Sequence, residues 1–136
     1  MFLQLILNFF LGLLIGFFVE FIFRSYRAKK IIMPRFINYL MYGLTASFLV
    51  FIYFLQASLF LKLILIFIFP TLIEFIIGYS YLKIKGKYLW TYFEYSPNFM
   101  GIITPLFSLF WFIIAVTYYY SILPIIITSL NWINSS

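Results

Sequence analysis

Four long apolar segments, separated by short polar stretches, constrain this chain more than any other feature. They cover residues 2–23, 37–55, 59–82 and 100–123. A helix needs roughly 20 apolar residues to cross the hydrocarbon core of a bilayer. Lipid-exposed spans are helices or closed barrels, because every backbone polar group must be satisfied internally. The pattern therefore predicts an all-α membrane protein with four transmembrane helices.

The composition leaves too little polar surface to coat a soluble globule. Of the 136 residues, 66% are hydrophobic and 9% are charged. With such short connections, we expect a single membrane domain over residues 1–136. The first apolar segment has no basic region before it and no small-residue cleavage site, which predicts a permanent span rather than a signal peptide.

The residue types that are missing exclude several kinds of chemistry. The chain contains no cysteine and no histidine, which removes disulfides, thiolate nucleophiles, iron–sulfur clusters and the usual imidazole ligands of zinc. The three carboxylates form no recognisable nucleophile or acid–base constellation. We therefore expect no cofactor, no metal site and no enzymatic activity.

The basic residues predict the orientation in the membrane. Eight of the nine Lys and Arg residues lie in two loops, after the first and the third apolar segment: Arg24, Arg27, Lys29, Lys30, Arg35, Lys83, Lys85 and Lys87. Short cytoplasmic loops carry an excess of such residues, so both loops should face the cytoplasm and both termini the outside. A nucleic-acid patch is the alternative, but cations directly beside hydrophobic spans are explained more simply by topology and by anionic lipid head groups. The expected partners are membrane lipid and protein chains, not nucleic acid.

Small residues suggest where helices meet. Gly12 and Gly16 lie four residues apart in the first segment, and Gly43 and Ala46 lie in the second. Glycines with this spacing share one helix face and allow a neighbouring backbone to approach closely. Such pairs are also frequent by chance.

The two halves of the chain resemble each other around their acids. VEFIF at residues 19–23 and IEFII at 73–77 place Glu20 over Glu74, and each acid precedes a basic loop. A Pro-x-Phe triplet follows each loop and should begin the returning span. Chance similarity in a sequence rich in Phe and Ile is the alternative.

This similarity predicts two helical hairpins as parallel repeats, residues 2–57 and 58–124, related by an axis along the membrane normal. Pro124 should end the fourth span. Residues 125–136 then form a short C-terminal tail that is expected to lie at the membrane interface, because it is too short to cross.

The two acids inside the spans are the first candidates for a polar membrane site, since an ionised carboxylate there is costly and usually faces the bundle interior or a cavity. Arg24 lies four residues after Glu20, so an ordinary helix ion pair would satisfy that carboxylate. Glu74 has no cation within one turn. It requires a partner from another segment, which predicts a structural clamp, or a bound proton, which would suit proton or cation handling.

The stretch after the second basic loop is rich in aromatic residues. Trp90, Tyr92 and Tyr95 have amphipathic rings that favour head-group depth, which predicts interfacial anchors. Asn98 is placed to cap a helix that opens near Gly101.

A sharper hypothesis joins these segments into one site. Glu74, Glu94 and Asn98 would converge at the cytoplasmic face, with Lys85 or Lys87 as the counter-charge.

The region from Glu74 to Trp111 also carries a family resemblance. The positions in register are Glu74, Trp90 sixteen residues later, Tyr92, Glu94, Asn98 and Gly101, followed by Ser108-Leu-Phe-Trp111. This pattern resembles the signature of small bacterial membrane proteins of the ABC-transporter type IV permease family. The chain departs from it with Thr91 in place of an Asp, with Pro97 shifted by one position, and with Ile102 where a basic residue is common.

The resemblance implies a multi-pass protein of the bacterial inner membrane: a transporter- or channel-like permease subunit in a homo-oligomer or larger complex. The chain has no nucleotide-binding motif, so any ATP hydrolysis would belong to a separate subunit. The alternative is a non-transport structural or assembly subunit that binds lipid or a partner protein. A hydrated cavity at Glu74 that reaches both sides of the membrane would favour the first function. A position in lipid-filled or protein-packed space with a Lys or Arg partner would favour the second.

Overall fold

A computed structural model describes residues 2–135 of the chain, with side chains through residue 133. Met1 and Ser136, the ends of the expected 1–136 domain, lie outside the described residues. The helical elements in chain order are α1 (Phe2–Ala28), α2 (Phe36–Phe54), α3 (Leu59–Lys85), α4 (Pro105–Thr117), a π-helical turn (Tyr118–Ile122) and α5 (Leu123–Ser135). The described residues contain no strand beyond an isolated bridge between Phe99 and Ile103. The all-α prediction is confirmed.

Four stretches of helix are long and apolar enough to cross a membrane: α1, α2, α3 and the continuous helix Pro105–Ile133. This confirms the four predicted spans. At 1.5 Å per residue, the 19 residues of α2 reach about 28 Å, close to the thickness of the hydrocarbon core. Helices α1 and α3 are longer, with 27 residues each, and their last turns contain Arg27 and the pair Lys83 and Lys85. Cations are favourable there because they complement the negative end of the helix dipole.

The chain divides into two compact units. One comprises the chain up to Leu55 together with the chain from Tyr118 onward, and the other is Gln56–Thr117. Within the first unit α1 packs along α2, and within the second α3 packs along α4. Each unit thus contains one helical hairpin. Their relation as repeats stays a prediction.

Close packing of α1 on α2 depends on glycine. A Cβ atom added to Gly12 would lie 2.6 Å from the carbonyl oxygen of Tyr42, and one added to Gly16 would lie 2.5 Å from Cγ of the Tyr42 ring. Both distances are shorter than real Cβ contacts. The predicted glycine face is therefore the surface on which α2 lies, and Ser47 adds a hydrogen bond to the Leu5 carbonyl at 2.6 Å.

The second hairpin has a longer connection than the first. Residues 29–35 join α1 to α2, whereas residues 86–104 join α3 to α4. Gly86 ends α3 in the left-handed conformation, with φ of 70°, and its N–H donates to the Leu82 carbonyl. Helix α4 then begins at Pro105 rather than near residue 100, so the Pro-x-Phe triplet at 97–99 does not open the returning helix as expected. Proline suits the first helical position because its missing N–H has no partner there.

The expected helix end at residue 123 is wrong, because the helix continues through Pro124. A proline inside a helix leaves the carbonyl four residues earlier without its usual partner and crowds that turn. The π-helical turn Tyr118–Ile122 lies directly before Pro124. Such a wider turn is one way in which spans accommodate proline. The described part of the expected tail, residues 125–135, therefore lies in α5; its depth in a membrane stays a prediction.

Candidate functional site

The carboxylate of Glu74 is the centre of the polar site in the second unit. It lies on α3, one turn after Pro70, and is only 1% exposed. The indole N–H of Trp111 donates to Glu74 Oε2 at 2.8 Å, and the hydroxyl of Tyr92 donates to the same oxygen at 3.2 Å. Trp111 comes from α4, and Tyr92 from the α3–α4 loop (residues 86–104). One carboxylate oxygen therefore connects two helices and a loop.

The Tyr92 ring is held in place from several sides. It stacks on Phe107 with ring centroids 4.7 Å apart and planes 9° apart, a geometry that stabilises aromatic pairs. Tyr95 meets the same Phe107 ring edge-on at 5.3 Å. The backbone N–H of Tyr92 donates to the Gly101 carbonyl at 2.8 Å. These contacts direct the Tyr92 hydroxyl toward Glu74.

Other residues of the loop pack closely on α3 at Gly78. A Cβ atom on Gly78, four residues after Glu74, would lie 2.7 Å from Ile102 and 3.0 Å from the Trp90 ring. Trp90 donates its indole N–H to the Ile102 carbonyl at 2.9 Å. The loop is therefore fixed on the helix face that carries the carboxylate.

Asn98 has a different role from the predicted one. Its Oδ1 accepts from the Gly101 N–H at 2.9 Å, and its Nδ2 donates to the Tyr95 carbonyl at 2.8 Å. It closes a turn inside the loop and does not cap a helix, since α4 begins only at Pro105. Gly101 adopts φ of 70° in this turn, a conformation that glycine adopts without steric cost.

The hypothesis of a converging site is only partly matched by the geometry. Glu94 is exposed while Glu74 is buried, and the side-chain oxygen and nitrogen of Asn98 both form hydrogen bonds within the loop. Lys85 and Lys87 are exposed. Lys85 lies eleven residues after Glu74 on the same helix, about 16 Å along the axis, too far for direct contact with the carboxylate. The groups brought to Glu74 are ring donors, Tyr92 and Trp111, rather than a lysine.

The aromatic residues expected as interfacial anchors are half-buried. The polar groups of Trp90 and Tyr92 bond inside the second unit, as described above. This packing role was not predicted. An additional role at head-group depth stays a prediction for these two residues and for Tyr95.

Glu20 lies on α1 of the first unit, and its predicted ion pair is present. Arg24 Nε lies 2.9 Å from Glu20 Oε2. The hydroxyl of Tyr42, on α2, donates to Glu20 Oε1 at 3.0 Å. Each acid thus accepts a tyrosine hydroxyl from its own unit. The difference is the second donor, a charged guanidinium at Glu20 and a neutral indole at Glu74.

A second polar contact in the first unit was not predicted. Asn8, fully buried on α1, donates to the Gln4 carbonyl at 2.7 Å. Its Oδ1 accepts a hydrogen bond from the hydroxyl of Tyr118, in the π-helical turn. An asparagine in an apolar segment was visible in the sequence, but its partner lies 110 residues away. Polar side chains of this kind join helices within membranes.

The fold and the site define a small multi-pass membrane protein in which Glu20 and Glu74 each accept hydrogen bonds from aromatic side chains of their own helical hairpin. Comparison with known proteins shows to which family it belongs. The sequence profile of the family described as "Putative ABC-transporter type IV" matches residues 7–136, and the chain belongs to this family. The resemblance drawn from the segment between Glu74 and Trp111 is thereby confirmed. No curated protein and no solved structure matches the chain.

Membership of this family and four apolar helices make the chain a transporter-like integral membrane protein whose helices contact lipid.

Proposed function

We propose that the chain is a permease-type subunit of a bacterial inner-membrane transport system that acts in an oligomer or with separate nucleotide-binding subunits. The observation that carries this proposal is the family match over residues 7–136, on a chain with four membrane-spanning helices and no nucleotide-binding motif of its own. A hairpin whose interior at Glu74 is filled by Tyr92 and Trp111 leaves little room for a substrate path within one unit. A path formed with further chains fits this packing better.

In the proposed orientation both basic loops face the cytoplasm and both termini lie outside. The cations in the last turns of α1 and α3 support it, since both helices then run from outside to inside. The α3–α4 loop becomes the largest cytoplasmic segment of the described chain. The hydrogen bonds at Glu74 would hold this loop in one position relative to α3 and α4.

The orientation has a direct test because the natural chain lacks cysteine. Single variants Lys30→Cys, Lys87→Cys and Ser58→Cys would be treated with a membrane-impermeant maleimide in spheroplasts and in inverted vesicles. We expect the two lysine positions to react only in inverted vesicles and Ser58→Cys only in spheroplasts. The reverse pattern would contradict the proposed orientation.

The subunit role is tested by extracting the chain in native-lipid nanodiscs and identifying the proteins that co-purify. We expect a nucleotide-binding subunit at fixed stoichiometry and ATP hydrolysis that depends on the presence of this chain. A chain recovered as a monomer, with no other protein and no such activity, would contradict the proposal.

A structural or assembly subunit is the second candidate, and the packed environment of Glu74 favours it. The variant Glu74→Gln separates the two functions, because the amide oxygen still accepts hydrogen bonds while the ionisable carboxyl group is removed. If the carboxylate takes part in transport, the complex should assemble but lose transport-coupled ATP hydrolysis. If Glu74 serves only as a clamp, both assembly and hydrolysis should be retained.

A further inference from the structure

The loop between α1 and α2 combines exposed cations with exposed apolar side chains. We define the first-loop surface by six residues. Tyr26 lies in the last turn of α1, and the others are the loop residues Lys29, Lys30, Ile31, Met33 and Arg35. Tyr26, Ile31 and Met33 are 85%, 80% and 64% exposed, and the three cations are exposed as well. Large apolar side chains at such exposure are unfavourable in water.

This surface has a defined shape. The hydroxyl of Ser25, near the end of α1, accepts from the Ile32 N–H at 3.0 Å and lies 3.4 Å from the Ile32 carbonyl oxygen. At the other end, the N–H of Arg35 donates to Asn38 Oδ1 at 2.9 Å. Lys29 turns the chain with φ of 57°. The two lysines therefore lie in a short loop whose ends are fixed to α1 and α2.

The chain supplies no acid to match these charges locally. Its three acidic residues are Glu20, Glu74 and Glu94, and none of them lies within residues 24–35. Glu20, the nearest in sequence, is engaged by Arg24 and Tyr42. Glu20 is the one acidic side chain among the described residues of the first unit, so that unit has no further acid to balance the charge of the loop.

We propose that the first-loop surface binds the head groups of anionic phospholipids of the cytoplasmic leaflet. The apolar side chains enter the boundary between head groups and acyl chains, and the cations contact the lipid phosphates. One environment thereby satisfies both kinds of side chain, whereas an acidic protein surface in water would match only the charges. The proposal rests on the proposed orientation, which places this loop on the anionic cytoplasmic side.

The second basic loop provides a matched contrast. Lys83, Lys85 and Lys87 carry the same charge and lie beside Ile84, which is 78% exposed. The difference is that Lys83 Nζ lies 5.3 Å from the centre of the Tyr79 ring. The α3–α4 loop that follows is 12 residues longer than the first connection (19 residues, 86–104, against seven, 29–35) and contains the acid Glu94. General attraction of positive charge to the membrane would make the two loops equivalent. A specific lipid site in the first loop would make that loop contribute most of the binding of anionic lipid.

The test uses the full chain in nanodiscs of phosphatidylcholine with increasing phosphatidylglycerol, with the lipids that stay bound counted by native mass spectrometry. Each cation at an anionic surface contributes about fivefold to binding, so three contribute roughly 100-fold. We expect the variant Lys29→Gln, Lys30→Gln, Arg35→Gln to lose most of this preference. The equally charged control, Lys83→Gln, Lys85→Gln, Lys87→Gln, should keep it.

A second variant, Ile31→Ser with Met33→Ser, keeps every charge and should also weaken phosphatidylglycerol retention; circular dichroism confirms that each variant remains helical. Equal losses in the two glutamine variants would overturn the proposal in favour of general charge attraction. Absence of any preference for phosphatidylglycerol would overturn it in favour of an acidic protein partner. Complete displacement of the lipid by inorganic phosphate would overturn it by showing that the loop binds free phosphate rather than lipid head groups. Because this measurement does not depend on sidedness, its failure is distinguishable from a failure of the proposed orientation.

Discussion

Replacing Glu74 by Ala tests whether the carboxylate is held as a hydrogen-bond acceptor. The change leaves the Trp111 indole N–H, on a side chain only 8% exposed, without its acceptor. An orphaned buried donor costs about 1–3 kcal/mol. Tyr92 is half-buried, so water can replace part of its lost bond. With the cavity left by the shortened side chain, the free energy of unfolding should fall by about 2–5 kcal/mol.

Milder variants at the same site give an expected order. Trp111→Phe removes one donor from a bond between two membrane helices, for which about 0.6 kcal/mol is the average and about 1.7 kcal/mol the largest value. Tyr92→Phe removes the longer bond from a half-buried side chain and should cost less. Glu74→Gln keeps an acceptor oxygen, and we expect a loss below about 1 kcal/mol.

The assay is reversible unfolding in mixed micelles with increasing dodecyl sulfate, followed by far-ultraviolet circular dichroism. A double-mutant cycle of Trp111→Phe with Glu74→Ala should show clear coupling, because the same bond is lost in both single variants. Trypsin cleavage after Lys85 and Lys87 reports separately on release of the loop. If Glu74→Gln proves as destabilising as Glu74→Ala, an acceptor oxygen alone does not account for the stability, and the acceptor argument is refuted.

Three further changes test other contacts. Gly16→Ala should separate α1 from α2 and lower the free energy of unfolding by about 1–3 kcal/mol, because the new Cβ would overlap the Tyr42 ring. The same unfolding assay measures this loss. An unchanged stability would show that the helices are not in close contact there. Tyr118→Phe should destabilise by about 1 kcal/mol by removing the donor to Asn8, and a native-like unfolding midpoint would argue against that bond. Pro124→Ala restores a backbone N–H and should slow amide exchange in the preceding π-helical turn, measured by hydrogen exchange and mass spectrometry; faster exchange would mean that the turn does not exist to accommodate the proline.

The number and type of the helices followed from the sequence because the bilayer imposes one strong rule on every span. Helix ends were less accessible, since they depend on local chemistry. The fourth helix was expected to end at Pro124, yet a π-helical turn accommodates that proline. Its start was expected near residue 100, yet the loop keeps its own turn, closed by Asn98, up to Pro105.

The sequence also predicts the partners of the two acids only in part. Arg24 was predictable as a partner of Glu20 because a spacing of four residues on a helix fixes their distance. That Glu74 needed either a partner from another segment or a bound proton was also predictable, from its burial cost in a span. The identity of that partner was not, because Trp111 is 37 residues away and reaches Glu74 only once a 19-residue loop has folded between them.

The π-helical turn makes this part of the chain tolerant of a length change in one direction only. Tyr118 is bound to Asn8 of α1, and Leu123 and Ile127 are buried further along the same helix. A π-helical turn holds one residue more than the α-helical turn it replaces, so removing one residue from it restores a regular helix. Such a deletion should therefore leave Leu123 and Ile127 directed toward their buried positions. A residue inserted into the α-helix between the turn and Ile127 would instead change the direction of Ile127 by about 100°.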